Sequence, residues 1–292
     1  MGCRGGRSAR SARRVQVRIA VKAAGVNALD WKIRRGFFSE GKRLPGPAGT
    51  GIELAGIIDS VGHGVSQWQV GQAVFGRSAT GGAAATHDLA GADEIFAKPE
   101  WLSFEQAATL PVAVETAYRT LRELGVREGQ TLLVHAAAGG VGLIATQLAR
   151  AWGVTVIGTA SETNHAILRE IGAAPVTHGE GLTDRVRTTA PQGIDAVLDA
   201  SGRGVLPDSI ALTGVPEKVL TIADPTAAEQ GVRFSGRPGP AAPALEAVLP
   251  LIEQDKIHMP IASVYPLQKA AEAHRHSENG HLQGKIVLSV EP

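Results

Sequence analysis

The chain has 292 residues, of which 43% are hydrophobic and 20% are charged, and its formal net charge at pH 7 is +1. These proportions are ordinary for a globular protein, and so small a net charge gives no electrostatic reason to expect binding to nucleic acid or to an anionic membrane. The single cysteine, Cys3, excludes an intrachain disulfide, and no apolar run approaches the ~20 residues that a membrane helix needs. We therefore expect a cytoplasmic protein with neither nucleic acid nor membrane as a partner.

The first fourteen residues differ from the rest of the chain. They contain five arginines, no acidic residue and several glycines and serines. Such a segment has too few apolar side chains to form a core, which predicts a disordered basic tail over residues 1–14. An organellar transit peptide, which is also rich in Arg and Ser and poor in acids, is the alternative for the same residues.

Residues 15–97 carry the pattern of short strands separated by glycines. Apolar side chains alternate with polar or small ones over residues 15–22, the period of two that is typical of a half-buried strand. Two further segments, residues 57–65 and 70–76, each run from an apolar stretch into a glycine turn. This texture favours a small β-barrel over an alternation of strands and helices.

A helix is predicted to begin after Ser103. Ser103 and Gln106 have the spacing of an N-cap residue and its capping-box partner, ahead of an apolar stretch that reaches Leu110. Pro111 is expected to end this helix, and a second helix is expected over residues 115–124.

Strands and helices alternate from residue 131 onwards. The predicted strands cover residues 131–135, 154–158, 196–199, 219–223 and 286–290, and the predicted helices cover residues 141–152 and 164–171. This alternation is typical of a parallel sheet with helices on both faces. The predicted fold is therefore α/β, with a β-barrel part followed by a doubly wound parallel sheet.

A glycine-rich turn lies between the first predicted strand and helix of this alternation. Ala137, Gly139 and Gly142 occupy the three fixed positions of the G-x-G-x-x-G spacing, with Ala in the first. Because Gly139 has no Cβ, the backbone could approach a pyrophosphate there, while Gly142 would let the helix pack closely on its strand. The N–H groups at the start of the helix would face the phosphates. The alternative is a tight structural turn that binds nothing.

The residues after the second strand bear on the type of cofactor. An NAD site usually places an acid ~20 residues past the glycines, where it holds the ribose 2′-hydroxyl. Here Ala160 is expected just after the strand, which leaves room for a 2′-phosphate with Ser161, Asn164 and His165 as candidate donors. Glu162 could instead bind the ribose of NAD, so the pattern favours NADP(H) without excluding NAD.

The sequence offers no set of zinc ligands. A catalytic zinc ion in a dehydrogenase would need Cys and His ligands, and a structural zinc ion would need four cysteines, whereas the chain has one cysteine. His274 and His276 are two positions apart, on different faces of a helix, and are expected to be solvated imidazoles. We therefore expect a site without a metal.

With these features in place, the chain resembles the zinc-independent quinone oxidoreductase branch of the medium-chain dehydrogenase/reductase superfamily, from about Val15 to its C-terminus. The motifs that carry the resemblance are AGVNALDWKIR at 24–34, GIELAG at 51–56, LPV at 110–112, TAY at 116–118, HAAAGGVG at 135–142 and GKIVL at 284–288. Ile52 stands before Glu53 where zinc-dependent relatives have a histidine, in agreement with the missing ligands.

The resemblance implies a GroES-like β-barrel catalytic domain over residues 15–107 and 262–292 and a Rossmann domain over residues 108–261, with the active site in the cleft between them. The family normally has a further hairpin before the strand at residue 15, where this chain has the Arg-rich segment. A shortened catalytic domain would leave a sheet edge uncovered and the cleft more open.

The resemblance also implies roles for individual residues. Asn27 would lie near the nicotinamide and the substrate, and Thr116 near the nicotinamide ribose or amide. The pyrophosphate would be held by Gly139, Gly140 and Val141, the adenosine phosphate by Ser161 and its neighbours, and Lys285 would reach the cofactor from the C-terminal segment. The alternatives are a turn-forming asparagine at 27 and a solvated lysine beside an edge strand at 285.

Members of the family often place a tyrosine near the substrate. This chain contains only Tyr118 and Tyr265, and it has alanines at 83–85 where an aromatic residue is usual. A tyrosine that acts as general acid is therefore not expected.

A site without a Lewis acid favours an acceptor that spreads the charge left by hydride addition over a conjugated system. The sequence and the resemblance together predict an NADPH-dependent reductase of a small quinone or α,β-unsaturated carbonyl. The alternatives are an enoyl reductase that acts on a thioester or polyketide-type chain, and a non-catalytic NADPH-binding sensor. A homodimer could form through the strand at 286–290.

Overall fold

The computed structural model of the protein describes residues 16–37 and 48–290. The predicted tail at residues 1–14 lies outside these ranges. The described residues form two compact units, one from the residues up to Val112 together with those from Pro260 onwards, the other from Ala113–Met259.

The elements below belong to the described ranges. The strands are β1 (Gln16–Val26), β2 (Glu53–Val61), β3 (Ala73–Arg77), β4 (His87–Gly91), β5 (Ile95–Ala97), β6 (Thr131–His135), β7 (Thr155–Ala160), β8 (Ala174–Thr177), β9 (Ala196–Asp199), β10 (Val219–Thr221), β11 (Arg233–Phe234), β12 (Ile261–Pro266) and β13 (Lys285–Ser289). The α-helices are α1 (Ala28–Arg34), α2 (Phe104–Ala107), α3 (Leu110–Leu124), α4 (Gly140–Ala151), α5 (His165–Glu170), α6 (Leu182–Thr189), α7 (Leu206–Thr213), α8 (Ala242–Glu253) and α9 (Ala270–Asn279).

The first unit is built on a seven-stranded sheet in the order β12-β13-β1-β2-β3-β5, with β4 paired to β1. The alternation that predicted β1 is correct: Val17, Ile19 and Val21 are buried and belong to the core of this unit. In the described ranges no strand pairing joins β12 to β5, so the strands predicted as a barrel form a sheet whose hydrogen-bonded order does not close.

Neither β1 nor β13 is an edge of this sheet, and for β13 this rules out the expected pairing of two copies through the strand at 286–290. β1 pairs with β2 on one side and with β4 and β13 on the other, so it is not an uncovered edge. β13 lies between β12 and β1. Because both of its sides are already hydrogen-bonded, β13 cannot add a strand from a second copy, and Lys285 does not flank an edge strand.

The second unit contains a six-stranded sheet in the order β11-β10-β9-β6-β7-β8, and all of its pairings are parallel. Numbered from β6, this is the order 3-2-1-4-5-6 of a dinucleotide-binding sheet, in which the strand order reverses beside β6. All five residues of β6 are buried, as expected of a central strand with helices on both faces. The predicted α/β fold with a Rossmann-type sheet is confirmed.

Several boundaries differ from the sequence prediction. α3 begins at Leu110, so Pro111 lies in its first turn instead of ending a helix. A proline is tolerated there because the N–H that it lacks has no partner within the helix. β7 continues to Ala160, which makes Ser161 the first residue after the strand. The pattern did not predict β12, whose alternating residues are intermediate and exposed instead of buried.

His274 is another correction, since it is 4% exposed and not a solvated imidazole. It lies on α9, which packs against α1 and β13. Burial lowers the pKa of His274, and the charge of Arg34 lowers it further. The His274 imidazole is therefore part of the packing of the first unit.

In the part of the chain that the structure describes, no helix combines the length and the apolar character needed to cross a bilayer.

Candidate functional site

The glycine-rich turn joins β6 to α4 at the carboxyl end of the parallel sheet. Ala136 adopts a positive φ of 56°, and its carbonyl oxygen accepts a hydrogen bond from the N–H of Gly139 at 3.0 Å. Gly139 is the N-cap of α4, with φ −77° and ψ 168°. A left-handed alanine is unusual for a residue with a Cβ, and it directs the chain from the strand into the helix.

Gly139 and Gly142 are glycines for different physical reasons. A Cβ on Gly142 would overlap the carbonyl oxygen of Ala136 and lie 2.7 Å from the Cα of Ala137, so close packing of helix on strand requires this glycine. A Cβ on Gly139 would meet one atom among the described residues, the carbonyl oxygen of Ala136 at 3.4 Å, and its φ is ordinary. The protein's own packing therefore does not require glycine at 139, whereas a closely approaching ligand would.

The start of α4 fits a phosphate group. The N–H groups of Gly140, Val141 and Gly142 have no carbonyl four residues earlier within the helix, and they carry the positive end of the helix dipole. α4 has twelve residues, which is long enough for this dipole to be appreciable. The open space at Gly139 and these N–H groups together match the pyrophosphate of a dinucleotide.

A buried hydrogen-bond chain holds the turn in place. The Thr159 backbone oxygen accepts from the N–H of Ala137 at 3.0 Å, and its hydroxyl accepts from the N–H of Ala136 at 3.3 Å. The same hydroxyl is 3.1 Å from Nδ1 of His135, whose Nε2 is 3.0 Å from the Ser209 hydroxyl. His135 belongs to the sequence motif but was not predicted to support the site.

The directions of these bonds fix the state of His135. The Ser209 hydroxyl donates to the carbonyl oxygen of Val205, so it accepts from an Nε2–H of His135, and Nδ1 accepts from Thr159. Burial lowers the pKa of His135 to about 4, against smaller opposing effects of Asp199 and Asp208. The imidazole is therefore neutral at pH 7.

The predicted adenosine-phosphate residues lie after β7, next to β6 in the sheet. Ser161 is partly exposed, and its hydroxyl is 2.9 Å from that of Thr163. Glu162 is exposed and opens a short 3-10 turn. Asn164 is 5% exposed, so this predicted donor is buried in the turn. His165 begins α5 and is partly exposed.

A second group of candidate site residues lies in the first unit around Asn27, the N-cap of α1. Its backbone N–H donates to the Asp30 carboxylate at 2.7 Å, and its side-chain Nδ2 donates to Glu53 Oε1 at 2.8 Å. The ammonium of Lys285 donates to Asn27 Oδ1 and to the same Glu53 oxygen. Glu53 is fully buried and Lys285 is 4% exposed, which rules out the alternative of a solvated lysine at 285.

Glu53 is the centre of this group, and it was not predicted as a site residue. Its second oxygen, Oε2, accepts from the N–H of Val112 at 2.9 Å, near the start of α3. A Cβ on Gly25 would overlap the Glu53 carboxylate and the carbonyl oxygen of Ala108, so the glycine in β1 makes room for the carboxylate. The only signal in the sequence was the glutamate within the motif at 51–56.

Asp30 carries an unusual charge state. It is 3% exposed, and burial is the main cause that raises its pKa to about 7. The N–H of Asn27 and the charge of Lys285 lower this pKa, and the charge of Glu53 raises it. The group therefore contains one cation, Lys285, and two carboxyl groups, Glu53 and Asp30. Of these, Asp30 gains or loses its proton near pH 7.

Thr116 lies on α3 in the second unit and is 9% exposed. Its hydroxyl is 3.4 Å from Glu115 Oε2, while Glu115 Oε1 accepts from Arg119 Nε at 2.7 Å and from the N–H of Gly239 at 2.8 Å. Arg119 also donates to the Ser235 hydroxyl. This buried carboxylate fixes the loop at 235–239 against α3, a feature with no local signal in the sequence.

The two tyrosines are engaged in packing and hydrogen bonding. Tyr118 packs edge-on against Trp152, with the ring centroids 6.0 Å apart. The Tyr265 hydroxyl is 3.0 Å from Nδ1 of His276.

Two family models match this chain. The alcohol dehydrogenase GroES-like domain matches residues 13–107, and the zinc-binding dehydrogenase model matches residues 171–288. The quinone oxidoreductase of Rattus norvegicus is 34% identical over 94% of this chain and 88% of its own length. The chain belongs to the quinone oxidoreductase branch of the medium-chain dehydrogenase/reductase superfamily.

Other members of this superfamily extend the comparison. The structure of Escherichia coli quinone oxidoreductase complexed with NADPH matches with a TM-score of 0.86 at 28% identity, over 98% of this chain and 94% of that chain. A pikromycin polyketide synthase component of Streptomyces venezuelae is 34% identical over 94% of this chain but only 8% of its own length. Although one family model is named for zinc, the described ranges hold no group of three or more His, Cys, Asp or Glu side chains that could bind a metal ion.

Proposed function

We propose that this chain is an NADPH-dependent reductase of a quinone or an α,β-unsaturated carbonyl that works without a metal. The observation that carries the proposal is the turn at Gly139, where a glycine with ordinary backbone angles leaves space in front of the free N–H groups of α4. The names of the quinone oxidoreductase relatives support the class of acceptor.

The chain's own residues would hold the cofactor in a defined way. Gly139, Gly140 and Val141 would bind the pyrophosphate through backbone N–H groups, and Ser161 would meet the adenosine phosphate. Thr116 would bind the nicotinamide ribose or amide. NADPH, once bound, supplies a hydride from the C4 atom of its nicotinamide. Glu162, the exposed residue that follows Ser161, opposes a 2′-phosphate at this place, because its carboxylate and the phosphate are both negatively charged.

Asn27 would act on the acceptor. An amide N–H is a weaker electrophile than a metal ion, so it suits a reaction in which the developing negative charge is spread over a conjugated system. Asn27 is partly exposed at the start of α1, so part of the residue is open to a ligand. The proton that completes the reduction would come from solvent.

Enoyl reduction of a thioester is the second candidate function. It is favoured by the polyketide synthase component, which is as similar in sequence to this chain as the rat quinone oxidoreductase is. A thioester enone is also a conjugated acceptor, so the same hydrogen-bond donor would serve both reactions.

The test is NADPH and NADH oxidation by the full chain with a benzoquinone, a small enone, crotonyl-CoA or cyclohexanone as acceptor. We expect turnover of the quinone or the enone with NADPH and none of cyclohexanone, which lacks conjugation. Turnover of crotonyl-CoA alone would select the second candidate. NADPH binding without turnover of any acceptor would overturn both and leave a binding protein. Activity lost to a chelator and restored by zinc would contradict the metal-free site.

A further inference from the structure

The polar atoms of Asn27 are held from three directions within the first unit. The side-chain oxygen accepts from the ammonium of Lys285, and one side-chain N–H donates to Glu53. The backbone N–H is bound by Asp30. Asn27 itself is partly exposed, whereas these three partners are buried, so the group supports a residue that is open on part of its surface.

The charges of the pair select one orientation of the amide. If the Asn27 amide turned over, its NH₂ group would face the Lys285 ammonium and its oxygen would face the Glu53 carboxylate. One donor would then face another donor, and one acceptor would face another acceptor. No water would separate them, because Lys285 and Glu53 are both buried. In the observed orientation one Nδ2 hydrogen binds Glu53, and the second Nδ2 hydrogen is left to donate to a ligand.

We propose that Lys285 and Glu53 are positioning residues for the reduction, because they lock the Asn27 amide with its second N–H available to the oxygen of the acceptor. This inference rests on the proposed function, in which Asn27 donates to the acceptor. It replaces the predicted contact of Lys285 with the cofactor by an action through Asn27.

The cost of the pair supports a role beyond stability. Replacing a buried ion pair by apolar residues of similar volume is often neutral or stabilising, so the pair is weak evidence for a contribution to folding. The fold also gives up a side chain at Gly25, inside a strand, to admit the Glu53 carboxylate. A directed hydrogen bond to Asn27 is something that apolar substitutes could not supply.

The test compares Lys285→Met, Glu53→Gln and Asn27→Ala in the full chain, with Lys269→Met and Glu272→Gln as controls. Lys269 and Glu272 form an exposed pair at 3.9 Å in the same unit, with side chains 56% and 50% exposed. We expect Lys285→Met to lower kcat by at least about tenfold, as for loss of an oriented hydrogen-bond donor, with an unchanged Kd for NADPH. The controls should keep the kcat of the parent.

A double variant separates positioning from general destabilisation. If Lys285 acts through Asn27, adding Lys285→Met to Asn27→Ala should lower kcat no further, since the amide is already absent. Losses that multiply in the double variant would overturn the inference. So would an unchanged kcat in Lys285→Met, or in Asn27→Ala. If Lys285→Met does not fold, Glu53→Gln with Lys285→Met carries the same comparison, because its buried pair is neutral.

A measurement without turnover distinguishes failure of this inference from failure of the proposed function. The side-chain amide of Asn27 is assigned in ¹⁵N NMR spectra by its loss in Asn27→Ala. In Lys285→Met we expect its hydrogens to exchange with solvent at least about tenfold faster, because the lock on the oxygen is gone. An unchanged exchange rate would overturn the positioning role, whether or not any acceptor is reduced.

Discussion

The Nδ1 atom of His135 lies 3.1 Å from the Thr159 hydroxyl, and this hydroxyl accepts a hydrogen bond from the backbone N–H of Ala136 at the start of the glycine-rich turn. A neutral imidazole is therefore built into the support of the turn. A protonated His135 would present a second N–H to Thr159, whose hydroxyl would have to reverse its direction. The charge state of one buried residue is coupled to the geometry of the turn.

Acid should destabilise the protein through His135. Its folded-state pKa of about 4 lies below the ordinary value of 6.5, so between these values the unfolded chain binds the extra proton. The contribution of His135 to the free energy of unfolding is therefore complete above pH 6.5. It is lost as the pH falls towards 4, and the loss is on the order of 3 kcal/mol. Urea unfolding at several pH values measures the free energy of unfolding of the parent and of His135→Gln. We expect the parent to lose more of this free energy in acid than the variant does. An equal loss in the two proteins would contradict the prediction.

Asp30 should act in the opposite direction. Its folded-state pKa of about 7 lies above the ordinary value of 3.8, so the native state holds a proton that the unfolded chain releases. Its contribution is fully present below pH 3.8 and is lost as the pH rises through 7. Relative to the parent, Asp30→Asn should gain stability between pH 4 and pH 7 and should change little above that range. A constant difference across the range would show that Asp30 does not titrate in this way.

Substitution of Gly139 should affect cofactor binding, whereas substitution of Gly142 should affect stability. Gly139→Ala should weaken NADPH binding by about tenfold or more, because a methyl group enters the space proposed for the pyrophosphate. Its unfolding free energy should change by less than about 1 kcal/mol, since its backbone angles suit alanine. Gly142→Ala should lower the thermal midpoint, because its Cβ overlaps Ala136. Fluorescence titration and thermal unfolding measure the two effects, and equal stability losses would contradict the distinction.

Charge at position 162 should set the preference between cofactors. Glu162→Lys should raise the ratio of kcat/KM for NADPH over NADH by about tenfold, which is 1.4 kcal/mol, because a cation replaces an anion beside the proposed 2′-phosphate. Glu170→Lys makes the same charge change at an exposed position at the end of α5 and should leave the ratio unchanged. An equal response of the two variants would mean that the 2′-phosphate does not bind near Glu162.

The fold was predictable where its signals are local. The strand at Thr131–His135, the glycine turn and the helix after it follow one another within a short stretch, so the Rossmann-type part could be derived from periodicity and spacing. Pro111 was misjudged because a proline in a first turn and a proline after a helix look alike in sequence.

The centre of the first unit's site was not predictable in the same way. Glu53 meets Asn27 across 26 positions and Lys285 across 232, and such pairs leave no periodic trace in a single sequence. A lysine at the start of a strand is usually exposed, so the burial of Lys285 could not be expected from its residue type. What decides its burial is the pairing of β13 inside the sheet, a property of the assembled fold.

The residues that hold the Asn27 amide are synthesised at different times. Asn27 and Lys285 are separated by 258 positions, whereas the second unit is one continuous stretch, Ala113–Met259. On the ribosome the residues of the glycine-rich turn are synthesised long before those of β13. Until β13 enters the sheet, Glu53 alone holds the Asn27 amide, and the bond from Lys285 to the amide oxygen is the last part of the lock to form.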